Sequence, residues 1–168
     1  FFGDPFLAHK FEQAGEYFME LRDVRYEGNV NWEYAVEISA RPFITNVFPM
    51  GIAVGQSTPL TLVGTQLPTP PTVEFTLPAE TPLGPQWVRV PLGPDLSNPV
   101  PVFATNLPLT LESNDENNTP EKAQSVTLPT GINGRINSEN DVDCFKFEAK
   151  KGEKFTFEVR ARRYQSAM

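Results

Sequence analysis

The sequence has very little of two residues on which many catalytic sites depend. Among its 168 residues there is one cysteine and one histidine. Cys144 alone cannot form an internal disulfide, and His9 alone cannot make a two-histidine zinc site, so we expect His9 to be a surface residue. The G-x-S-x-G pattern, which presents a catalytic serine on a tight turn, is also absent. These absences argue against an independent enzyme.

Long apolar runs and an excess of positive charge are also missing. No run of about 18 apolar residues is present, so a transmembrane helix is not expected. The formal net charge of −7 disfavours nucleic acid or an anionic membrane as a partner. The start at Phe1 lacks both a Met and a basic region. Together with the stop at Met168, directly after a strand-like run, this start predicts a piece of a longer chain.

Proline is the most over-represented residue, with 17 Pro against 11 Gly. This composition disfavours long helices and favours short strands joined by rigid turns. Many prolines lie between residues 68 and 108. Because proline cannot donate to a central ladder, we predict short edge strands and turns there. We divide the chain into residues 1–40, a central segment (41–110) and a C-terminal segment (111–168).

Large apolar side chains alternate with polar ones, which predicts half-buried antiparallel strands and an all-β fold. Lys150 to Glu153 predicts a hairpin turn with Gly152 at positive φ, and Thr119-Pro120 predicts the start of one helical turn. Cys144 alternates with aromatics, as a buried structural thiol does. The alternating runs are 17–22, 32–38, 72–77, 144–149 and 155–160.

The tryptophans and tyrosines have two possible locations, buried or exposed. They either pack in the core, which their place in alternating runs favours, or form a stacking surface for sugars or extended polypeptide. Tyr26, beside a predicted turn, is the best candidate for exposure. The set is Tyr17, Tyr26, Trp32, Tyr34, Trp87 and Tyr164.

The C-terminal segment carries an ordered series of short motifs. They are E-S-N-D at 112–115, T-P-E-K-A at 119–123, G-R-I at 134–136, D-V-D-C-F-K-F at 141–147, and Gly152. This series resembles the opening half of a bacterial pre-peptidase C-terminal domain. Residues 4–34, with their A-G-E-Y turn at 14–17, resemble the closing half of such a domain. Residues 43–67 resemble the entry strands of an immunoglobulin-like IPT/TIG module.

The resemblance implies jelly-roll β-sandwiches around an immunoglobulin-like module, located outside the cytoplasm. The arrangement is similar to large planctomycete-type multi-module surface proteins. Domains of this family are also appended to secreted proteases. Fold does not determine function, so each implied role remains an expectation.

The resemblance also implies a calcium site where the E-x-N-D loop meets the aspartates before the D-x-D strand. Asp, Asn and Glu side chains supply the hard oxygen ligands that calcium requires. The matching residues are Glu112, Asn114, Asp115, Asp141 and Asp143, with Asn140 as a sixth candidate. Thr110 occupies a position where calcium-bearing members often have a glutamate, which should weaken binding. The alternative is a solvated acidic loop with turn hydrogen bonds.

We therefore expect a non-catalytic extracellular or cell-surface segment, structural or adhesive, with calcium as the one candidate cofactor. The alternative is an accessory region of a secreted protease that aids substrate docking or maturation. Expected partners are other modules of the same polypeptide and an extracellular protein or polysaccharide. Neither nucleic acid binding nor membrane insertion is expected.

Overall fold

The computed structural model describes residues 5–113 and 116–161, and within them the fold is all-β, as predicted. The described residues divide after Ala40 into two units, and the boundary predicted near residue 110 lies inside the second. No helix in these ranges is long and apolar enough to cross a membrane. A single 3₁₀ turn spans Pro120–Lys122. The strands are β1 (Phe43–Phe48), β2 (Gly51–Ala53), β3 (Ser57–Thr65), β4 (Thr72–Thr76), β5 (Gly84–Leu92), β6 (Asp95–Thr105), β7 (Leu109–Leu111), β8 (Gln124–Ser125), β9 (Gly131–Asn133) and β10 (Phe145–Lys146).

The core lies in the central segment, between residues of two three-stranded sheets. One sheet has the order β1-β3-β4 and is antiparallel, and the other has the order β2-β6-β5. In the second sheet β5 and β6 are antiparallel, whereas β2 runs parallel to β6. The buried side chains alternate along the strands, so that one face of each sheet meets the same core. They are Ile44, Val47, Ile52, Leu60, Leu62, Leu77, Val90, Val100, Val102 and Ala104.

The prediction of short edge strands in the proline-rich stretch is right in part. Strands β4 and β5 are edge strands of their sheets, but β5 and β6 have nine and 11 residues, and β6 lies in the middle of its sheet. The prolines are tolerated for a geometric reason. Pro99 and Pro101 of β6 lie opposite Arg89 and Trp87 of β5. Strand β2 pairs with β6 only from Phe103 onward, so it does not reach the prolines. On that side β6 is locally an edge, and a missing N–H costs nothing there.

Residues 5–40 contain no hydrogen-bonded strand, so the strands predicted at 17–22 and 32–38 are wrong. Alternation gives a segment an apolar face but does not supply a neighbouring strand to pair with. The apolar side chains here stay exposed: Phe18 is 91% and Trp32 56% exposed. The chain is held instead by local contacts, such as the Asp23 carboxylate accepting from Arg25 N–H at 2.7 Å. His9 is exposed, as predicted, with its ring 4.9 Å from that of Phe11.

The preference for core packing of the tryptophans and tyrosines is also wrong. The five that lie in described residues are exposed, and Tyr164 lies outside the described residues. Tyr26 is exposed as predicted, with Arg22 over its ring at 4.7 Å. Trp87 lies on the outward face of β5. The five are Tyr17, Tyr26, Trp32, Tyr34 and Trp87.

Short parallel pairings organise the C-terminal segment. Strand β7 pairs with β9 and β8 with β10. The predicted turn forms, with Gly152 at φ 92° and Glu153 N–H donating to the Lys150 carbonyl at 3.1 Å. The run at 155–159 forms no strand, and the run at 144–149 forms only the two residues of β10. Cys144 is half-buried rather than buried.

Candidate metal centre

Three strand ends bring Glu112, Gly134 and Asp143 together. Glu112 follows β7, Gly134 follows β9, and Asp143 precedes β10. The Glu112 N–H donates to the Asn133 carbonyl at 2.8 Å, and Glu112 Oε2 accepts from Arg135 N–H at 2.9 Å. A Cβ at Gly134 would lie 3.2 Å from Glu112 Oε2 and 3.6 Å from Asp143 Oδ2. The two carboxylates therefore flank a backbone position that has no side chain.

The loop before the 3₁₀ turn adds a buried amide to this cluster. Asn117 is 0% exposed, and its carbonyl accepts from Cys144 N–H at 2.9 Å, directly after Asp143. Neighbouring Asn118 accepts from Val142 N–H through Oδ1 at 3.4 Å. These bonds hold the loop against the segment that carries Asp143 and leads into β10.

Four buried polar atoms of the cluster have no hydrogen-bond partner among the described residues. They are Glu112 Oε1, Asp143 Oδ1, and both Oδ1 and Nδ2 of Asn117. A buried polar group without a partner costs free energy, and most buried polar groups in native proteins are paired with protein, water or an ion. Three of these four atoms are oxygens able to bind a cation.

Asp143 has a strongly shifted pKa. Burial of its carboxyl raises this pKa to about 7, and a hydrogen bond to the Glu112 side chain and the charges of Glu112 and Asp141 add to the rise. The Asn117 amide acts in the opposite direction on this pKa. Its side chain lies close enough to polarise the carboxyl, but neither polar atom reaches hydrogen-bond geometry. Near neutral pH the Glu112–Asp143 pair therefore holds a proton where it could hold a cation.

The structure brings two of the five predicted ligands together. Glu112 and Asp143 meet, whereas Asp141 Oδ2 accepts from Asn137 N–H at 2.6 Å and acts on Asp143 through its charge. Asn114 and Asp115 lie outside the described residues. Within the described ranges, no three His, Cys, Asp or Glu side chains converge on one metal position.

Two further positions refine this site. Thr110 lies in β7 and its hydroxyl is 3.1 Å from that of Thr130, so it is engaged within the sheet. Asn140 has φ +64°, the left-handed conformation that asparagine tolerates in turns. Asn117 was missed as a candidate ligand. Its sequence signal is weak, because nothing local distinguishes this buried asparagine from Asn118, the exposed asparagine that follows it.

The chemistry of the cluster fits a hard divalent cation. Its donors are carboxylate and amide oxygens, the ligands that calcium prefers, and the cluster offers no imidazole or thiolate for a softer metal. Glu112, Asp143 and Asn117 would hold such an ion. The ion would supply the positive charge that the two carboxylates lack.

Comparison of the chain with protein-family models, with curated proteins and with solved structures finds no match in any of the three. The fold and the cluster geometry are therefore the basis for a functional assignment.

Proposed function

We propose that the chain is a non-catalytic, extracellular structural or adhesive β segment whose C-terminal part is stabilised by calcium. The observation that carries this proposal is the cluster of buried, unpartnered oxygens of Glu112, Asp143 and Asn117. A solvated acidic loop would direct such atoms to water, so burial favours the metal-binding alternative over that one.

The stabilisation follows from the charges. Without an ion, two carboxylates lie close together and one of them is partly desolvated, which destabilises the fold above the pKa of Asp143. A bound calcium would pair with Glu112 Oε1, Asp143 Oδ1 and Asn117 Oδ1. Glu112 Oε2 would keep its bond to Arg135 N–H. Binding to the folded state alone then adds stability by mass action.

An extracellular location agrees with the affinity that such a site should have. Two carboxylates and one amide form a weakly charged ligand set, and sites of extracellular modules bind calcium with Kd of about 0.1–1 mM. The single His9 and the absence of a nucleophile motif support a non-catalytic role. We propose that the C-terminal segment is related to pre-peptidase C-terminal domains and the central segment to immunoglobulin-like modules.

Calcium titration followed by two-dimensional amide NMR tests the proposal residue by residue. We expect saturable shifts of the Arg135 and Cys144 amides, because they donate to Glu112 and to the Asn117 carbonyl. Glu112→Gln should abolish the shifts. The matched control Glu121→Gln, at a fully exposed carboxylate of the 3₁₀ turn, should leave them unchanged. If the wild-type amides show no saturable shift, or if both variants respond equally, the proposed site is wrong.

A further inference from the structure

The cluster is next to contacts that join the C-terminal segment to the central segment. We call these contacts, made by Asn133 and Arg135, the Asn133–Arg135 clamp. Asn133, at the end of β9, is only 7% exposed. Its Oδ1 accepts from Gly51 N–H at 2.7 Å, and its Nδ2 donates to the Gly51 carbonyl at 3.1 Å. Gly51 belongs to β2, which pairs with Phe103 of β6 in the core sheet. One side chain thus satisfies both backbone groups of a residue in the other segment.

The close approach favours a glycine at position 51. A Cβ at Gly51 would lie 3.0 Å from Asn133 Oδ1 and 3.3 Å from its Nδ2, closer than nine in ten real Cβ contacts, so the Asn133 side chain would have to shift by a few tenths of an ångström. A second contact lies beside the first: the Arg135 guanidinium carbon is 3.8 Å from the centre of the Phe48 ring, at the end of β1. Such a cation–π contact adds to the hydrogen bonds. Asn133 and Arg135 therefore hold the central segment from both sides of Gly134.

Glu112 ties both clamp residues to the carboxylate cluster. Its N–H donates to the Asn133 carbonyl, and its Oε2 accepts from Arg135 N–H. The side-chain position that accepts from Arg135 is the one that places Glu112 near Asp143. When no cation is present and both carboxylates are ionised, repulsion from Asp143 opposes this position.

We infer that a cation at Glu112, Asp143 and Asn117 closes the Asn133–Arg135 clamp and thereby stiffens the junction between the C-terminal and central segments. This inference rests on the proposed calcium site. The ion removes the repulsion that acts on Glu112, so residues 133–135 stay bound to Gly51 and Phe48 for a larger fraction of the time. The site then limits motion between the C-terminal and central segments and also stabilises the fold locally.

Hydrogen exchange at the Gly51 amide measures clamp closure, because Asn133 Oδ1 is the acceptor for that N–H. We expect saturating calcium to slow its exchange by about five- to 150-fold relative to chelator, the usual range of coupling between two sites. The Leu62 amide, which donates to the Pro71 carbonyl within the central segment, is the internal control and should change much less. Equal slowing at both amides would indicate general stabilisation and overturn the inference.

Two variants separate this inference from the proposed function. Asn133→Ala should bind calcium, seen as a shift of the Cys144 amide, while Gly51 exchanges fast with or without the ion. Glu112→Gln keeps an acceptor for Arg135 N–H and removes the repulsion, so Gly51 should be protected even in chelator and indifferent to calcium. Absence of calcium binding to the wild type would overturn the proposed site. Calcium binding without any change in the exchange rate of the Gly51 amide would overturn the clamp alone. If Asn133→Ala does not fold, the Glu112→Gln variant decides: fast exchange of its Gly51 amide would also overturn the clamp.

Discussion

Asp143→Asn should stabilise the protein when calcium is removed, although most substitutions at structured positions destabilise. The change keeps the shape of the side chain and removes one of two neighbouring negative charges. The new amide can also donate to Glu112 Oε1, which has no partner among the described residues. Repulsion is thereby replaced by a hydrogen bond.

The magnitude follows from the pKa of Asp143, which is raised from 3.8 to about 7. A shift of that size is equivalent to about 4 kcal/mol of cost for the ionised form at pH 8. Asp143 is only half-buried, so solvent screening reduces this to about 1–2 kcal/mol. The melting temperature of the variant in chelator should rise by roughly 2–8 °C.

The assay is thermal unfolding at pH 8, followed by circular dichroism, in chelator and in saturating calcium. We expect the order of stability to reverse: the variant melts higher in chelator, and the wild type gains more from calcium. Asp95→Asn, at an exposed aspartate that begins β6, is the matched control and should change stability by less than about 0.5 kcal/mol. A variant that melts lower than wild type in chelator, or that gains as much from calcium, would refute the reasoning.

Three further predictions concern pH, close packing and the core. In chelator the free energy of unfolding should fall as the pH rises from about 4 to 7, because the raised pKa of Asp143 lets the folded state retain a proton that the unfolded state has lost. Denaturant titration at several pH values should show this fall, and calcium should suppress it. Gly134→Ala would place a Cβ 3.2 Å from Glu112 Oε2, so the calcium Kd measured by NMR should rise several-fold while the spectrum stays folded; an unchanged Kd would contradict the packing. Leu60→Ala, at a fully buried core position, should cost about 2–5 kcal/mol in urea unfolding. Leu7→Ala, at a largely exposed position, should cost less than about 0.5 kcal/mol, and similar losses for the two variants would contradict the described core.

The all-β fold was predictable from period-two alternation, and the run at 72–77 corresponds closely to β4. Alternation failed at 17–22 and 32–38 because it reports the faces of a strand and not the presence of a neighbour to pair with. The proline rule predicted the edge positions of β4 and β5 but not the middle position of β6, for a related reason. Whether Pro99 and Pro101 face a paired or an open side depends on how far β2 extends, which is a property of the sheet rather than of the local sequence.

Part of the candidate site could be predicted in the same way. Glu112 and Asp143 lie in short motifs that a family resemblance places together, and the structure brings them to Gly134. Asn117 could not be predicted, because its burial arises only when the 116–118 loop docks on the segment that carries Cys144, directly before β10. The Asn133–Gly51 bonds join residues far apart in sequence and have no local signal.

The melting temperature of the wild-type protein in calcium, compared with chelator, tests the central claim most directly. At a calcium concentration ten times the Kd, mass action predicts about 1.4 kcal/mol of added stability. For a protein of this size that corresponds to a rise of roughly 3–6 °C, which magnesium should not reproduce at the same concentration, since it is smaller and demands a more regular octahedral site. An unchanged melting temperature at calcium concentrations well above 1 mM would contradict a calcium-stabilised segment.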